Sequence, residues 1–66
     1  MEIRFSGRDH GETVEFEGNI TVREALLKAK IQPSTVIVSL DENIIPHSAI
    51  IKSNLELKVT TVSSGG

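Results

Sequence analysis

The sequence predicts an α+β fold: a roll in which a mixed sheet wraps a single helix. Three observations predict it. Two segments alternating apolar and polar residues open the chain. One segment with a 3.6-residue period follows, and further alternating segments come after it. The apolar residues, 38% of the 66, are mostly aliphatic, with Phe5 and Phe16 as the only aromatics. One helix has one apolar stripe, so it covers one face of a sheet and leaves the other to solvent.

The elements follow in order. In residues 2–8, Ile3 and Phe5 point one way and Glu2, Arg4 and Ser6 the other, the period of a half-buried strand. The polar stretch Arg8-Asp9-His10-Gly11 suits a turn. Residues 12–17 alternate again, with Val14 and Phe16 inward and Glu15 and Glu17 outward, so the two runs read as an antiparallel hairpin. The period then changes. Val22, Ala25, Leu26 and Ala29 fall on one helical face, and Thr21 stands three residues before Glu24, a capping-box pattern. Ile20 is placed to pack against Ala25 as a hydrophobic staple. Lys28 and Lys30 stand in the expected last turn, where cations favour the helix dipole. Pro33 stops the helix by Ile31 or Gln32.

Residues 35–40 form the next strand, with Val36, Val38 and Leu40 on one face and Ile37 and Ser39 on the other. A turn over Asp41-Glu42-Asn43 leads to a short strand at 44–46, which Pro46 confines to a sheet edge. Residues 47–54 are expected as a loop with one short helical turn, from which Ile50 or Ile51 plugs the core. Residues 55–62 form the last strand, with Leu55, Leu57 and Val59 inward and Lys58 and Thr60 outward. The domain is expected to span 1–62, with residues 63–66 a flexible tail. The order β-β-α-β-β-β on one helix is that of a β-grasp roll.

Composition narrows the function. A chain of this length is one domain. Without cysteine, neither disulfides nor thiolate metal sites can form. The net charge is −2 and the seven basic residues are scattered, so no nucleic-acid footprint is expected. No apolar run approaches the ~20 residues of a membrane helix, and residues 1–7 carry no signal-peptide pattern. A cytoplasmic monomer is the expectation. Asp9, His10 and Glu12 have no second histidine or cysteine at ligand spacing, and His47 stands alone, so no metal site is expected. No arrangement suggests nucleophilic catalysis, and no glycine-rich loop precedes a helix to cradle phosphate.

With the hairpin, the helix and the closing Gly65-Gly66 in hand, the chain resembles ubiquitin-like β-grasp sulfur carriers and modifiers. These are the ThiS/MoaD-like carriers of the thiamine and molybdopterin pathways and the small archaeal modifier proteins. Met1–Gly7 resembles their first strand. Thr21–Leu27, "TVREALL", resembles their helix start, with one extra residue before the leucine pair. Val36–Pro46 resembles their strand-turn-strand segment, here without the usual turn glycine. Ser63 and Ser64 stand where many members carry bulkier residues. The resemblance implies that the protein is not an enzyme. It implies that a ubiquitin-activating-like adenylating enzyme binds ATP and adenylates the Gly66 carboxylate. A sulfurtransferase then supplies sulfur for a thiocarboxylate, or a target lysine forms an isopeptide bond. Glycine suits such an end because it leaves the carbonyl open and threads a narrow channel. Ile37, Lys58, Thr60 and Val62, with Arg4, Ser6 and Ser39, form the candidate partner surface. Of the four lysines, Lys52 and Lys58 are the candidate conjugation acceptors. The competing reading is a non-covalent β-grasp interaction module in which the tail is dispensable.

Overall fold

The computed structural model describes residues 1–8 and 10–62. The tail residues Ser63, Ser64, Gly65 and Gly66, and Asp9, lie outside the described residues.

Five strands form one mixed sheet in the order β2-β1-β7-β4-β5. They are β1 (Glu2–Gly7), β2 (His10–Glu15), β4 (Val36–Leu40), β5 (Asn43–Ile45) and β7 (Leu55–Thr61). β1 and β7 run parallel at the centre, and every other pairing in the sheet is antiparallel. A second pair joins β3 (Ile20–Thr21) to β6 (Ile50–Ile51). The helix α1 (Val22–Lys28) supplies Val22, Ala25 and Leu26 to a core shared with Ile3, Phe5, Val38, Leu57 and Val59. The architecture is α+β, with one five-stranded mixed sheet and one helix, and is compatible with the expected β-grasp arrangement.

The alternation read from sequence holds along β1 and β7. Ile3 and Phe5 are buried between exposed Glu2 and Arg4, and Leu57 and Val59 between exposed Glu56, Lys58 and Thr60. Ile51 is buried and Ile50 faces solvent. β5 is an edge strand with Pro46 just beyond its end.

Four local expectations change. The first hairpin is tighter than expected. Gly7 pairs with His10, so β2 begins at His10 and that residue belongs to a strand, not a turn. Beyond the other end of the hairpin, Met1 and Phe16 exchange backbone hydrogen bonds of 3.0 and 2.8 Å. The turn at 41–43 also loses a residue. Leu40 pairs with Asn43, and Asp41 and Glu42 both have positive φ, 51° and 69°. A two-residue hairpin loop that matches strand twist requires that mirror-type backbone.

The helix ends at Lys28, before Ile31 or Gln32. Lys30 adopts φ 62°. Ile31 N then donates to Leu26 O at 2.9 Å and Lys30 N to Leu27 O at 3.0 Å. These bonds form a Schellman ending, with buried Ile31 and Leu26 as its apolar pair. Lys30 therefore lies beyond the helix. The short helical turn expected within 47–54 lies instead at Pro33–Thr35. The 47–54 segment makes a turn closed by Ala49 N to Pro46 O, then the strand β6. Its backbone is drawn to the helix start. His47 O accepts from Arg23 N at 2.9 Å, and Ala49 O from Val22 N at 3.0 Å. The first helical N–H groups have no partner within a helix, and here the loop supplies two.

No helix among the described residues is long and apolar enough to cross a membrane.

Candidate functional site

β7 organises the candidate site. Its inward residues fill the core, so its outward residues Glu56, Lys58 and Thr60 must stand on the face away from α1. Neighbouring strands fix what surrounds them. Arg4 lies opposite Glu56, Ser6 opposite Lys58, Ser39 opposite Lys58 from the other side, and Ile37 opposite Thr60. The expected partner surface of Ile37, Lys58 and Thr60, with Arg4, Ser6 and Ser39, is therefore one continuous face. Lys58 and Thr60 are exposed, and Ile37 is half-buried between its neighbours.

Val62 follows β7 and is the last described residue. Its N–H donates to Thr35 O at 2.8 Å, which holds the chain beside β4, and its side chain is 45% exposed. The tail expected to carry the chemistry, Ser63 to Gly66, begins at the next residue and lies outside the described residues.

Sequence reasoning missed Ile44. It pairs with Ser39 on the same open face and is 70% exposed, more than any other large apolar residue described. The signal was present but depended on turn length. A three-residue turn leaves the parity of residues 44–46 open. A two-residue turn pairs Asn43 with Leu40 and sends Ile44 outward beside Ser39. Isolated exposed aliphatic side chains are ordinary. Here Ile44 and Ile37 flank Ser39 on one face, so the apolar component of the surface is larger than the sequence suggested.

The histidines take different places. His10 sits at the start of β2, with Nδ1 3.8 Å from a Glu12 carboxylate oxygen and Nε2 3.4 Å from Thr61 Oγ1. His47 stands in the loop over the helix start. Among the described residues no three histidine, aspartate or glutamate side chains come together as metal ligands would. Lys28, Lys30, Lys52 and Lys58 are all exposed.

On this surface Lys58 lies between Ser6 and Ser39, paired with both, and Thr60 lies opposite Ile37. No protein-family model matches the chain, and no curated protein matches it.

Proposed function

We propose that the protein is a ubiquitin-like sulfur carrier or modifier with a β-grasp body, whose Gly66 carboxylate is the working group. An adenylating partner activates that carboxylate with ATP, releasing pyrophosphate and leaving an acyl-adenylate. Attack by hydrosulfide expels AMP and gives a thiocarboxylate. Attack by a lysine amine, directly or through an enzyme thioester, gives an isopeptide bond.

The observation that supports this reading is the sequence that follows β7 together with the open face beside that strand. The central strand β7 leads through Val62 into Ser-Ser-Gly-Gly, and the open face beside it presents Ile37, Ile44, Lys58 and Thr60 to a partner. A carrier needs a docking body and a slim acyl end; the open face suits the first and the sequence Ser-Ser-Gly-Gly the second. The order β2-β1-β7-β4-β5, with parallel β1 and β7 at its centre, supports the β-grasp assignment.

The test is intact mass. The protein is incubated with magnesium, ATP and a candidate adenylating enzyme, with and without sulfide. The expected result is an AMP adduct without sulfide and, with it, the mass gain of one oxygen replaced by sulfur. Deleting Gly65 and Gly66 should abolish both products. Modification of the deletion variant at an unchanged rate overturns the site. A natural gene product that retains residues beyond Gly66 in its mature form overturns the reading as a whole. A tail deletion that leaves partner binding and cellular role intact favours the non-covalent module.

A further inference from the structure

Charged residues of both signs stand along β7. Around the start of that strand stand Glu56, Glu2 and Glu15, with Arg4 opposite Glu56, and, in the β4–β5 turn, Asp41 and Glu42. Lys58, in the middle of the strand, borders these acidic residues on one side and Arg8 and His10 on the other. There a depression of about 310 Å³ is lined by Arg8, His10, Lys58, Val59, Thr60 and Thr61. It has a structural origin. β1 pairs with β7 only as far as Ser6 and Lys58, while β4 continues to pair with β7 from the other side up to Thr61. A notch therefore opens between the tip of the first hairpin and the last residues of β7, beside the point where Val62 leaves the sheet.

Among the described residues the notch is lined by Arg8, His10 and Lys58 and by no carboxylate, in a chain of net charge −2. Among the described residues neither Arg8 nor Lys58 forms an ion pair, while His10 is held in place by Glu12 and Thr61. We propose that this notch docks an acidic segment of a protein partner. Carboxylates of that segment meet Arg8 and Lys58, with His10 and the Thr60 and Thr61 hydroxyls around them. A nucleic acid fits poorly. Its evenly spaced phosphates would meet Glu56, Asp41 and Glu42 next to Lys58, and no Phe, Tyr or Trp side chain lines the notch to stack a base. Assigning the acidic segment to the adenylating partner rests on the function proposed above, whereas the docking itself does not.

The first experiment titrates the isotope-labelled full chain by NMR at low salt with four probes: hexa-aspartate, hexa-lysine, hexathymidylate and inorganic phosphate. Hexa-aspartate should shift the amides of Arg8, His10, Lys58, Thr60 and Thr61, and the double variant R8E/K58E should weaken that binding by about tenfold or more. Both side chains are exposed, and an unchanged thermal unfolding curve for the variant shows that the fold persists. No shift with hexa-aspartate overturns the proposal. A stronger response to hexathymidylate or to phosphate than to hexa-aspartate also overturns it, in favour of a nucleic-acid or small-anion site. The second experiment uses the adenylating enzyme. R8E/K58E should raise KM for the carrier about tenfold and leave kcat near the wild-type value. A wild-type adduct with KM unchanged in the variant overturns the assignment to that partner. Failure of the wild-type chain to form any adduct overturns the proposed function and leaves the docking to be judged by the NMR result.

Discussion

Gly7, the last residue of β1, lies directly against the backbone of Val59 in β7. A Cβ added there would stand 2.3 Å from Val59 O, and the atom it meets is backbone in a central strand, which cannot swing aside. Gly7→Ala should therefore destabilise the fold by about 2 kcal/mol, the cost of overpacking, read as a lower midpoint in urea denaturation. Glu42 shows the opposite case. Its φ of 69° carries a left-handed strain that glycine would not have. Part of that gain is offset by the greater freedom of glycine in the unfolded chain. Glu42→Gly should raise stability by about 0.5 kcal/mol, and a lower denaturation midpoint would count against the mirror-type turn. The family resemblance pointed at the same place, since the usual turn glycine is absent here.

The helix illustrates how a short element is held. Seven residues are too few to persist alone, so its two ends matter as much as its buried face. At the start, Glu24 N donates to Thr21 Oγ1 at 3.1 Å, and the Thr21 hydroxyl donates to Glu24 Oε1 at 3.1 Å. The carboxylate thus accepts from the capping hydroxyl rather than from a backbone N–H. Thr21→Ala removes both bonds and should cost about 1 kcal/mol, measurable as a fall in Tm with no change in the sheet's circular dichroism. Thr21→Ser should recover most of the loss. At the other end, Lys30 accepts a left-handed backbone so that Ile31 can turn into the core. Among the strands, Glu2 lies directly opposite Glu15. Like charges in that position oppose pairing, and Asn54 Oδ1, accepting from Glu2 N at 2.7 Å, ties β1 to the loop before β7.

Across the whole molecule, the core and the open face separate stability from binding. The buried cluster is apolar throughout among the described residues, and Ile44 is exposed and not part of it. Ile44→Glu should leave unfolding within about 0.5 kcal/mol of wild type, as for a surface substitution, while weakening association with an activating partner in a binding titration. A large loss of stability would show that Ile44 supports the fold rather than a contact. The division follows from topology. β7 lies between β1 and β4, so one strand places Leu57 and Val59 in the core, Lys58 and Thr60 on the open face, and Val62 at the point of exit.

Much of this was legible in the residues themselves. Periods of two and 3.6 identified which side chains face inward, and the Thr21–Glu24 spacing located the helix start. Pro46 marked the edge strand. Such signals are local: each depends on neighbours a few positions away, and the backbone's own geometry converts them into faces and ends. The tertiary structure alone decided the parallel contact of β1 with β7, the β3–β6 pair and the loop carbonyls over the helix start. It also decided the closeness of backbones at Gly7 and the basic notch beside it. Those features join segments far apart in the chain. They are set by which backbones approach when the core closes, and residue periodicity does not record that.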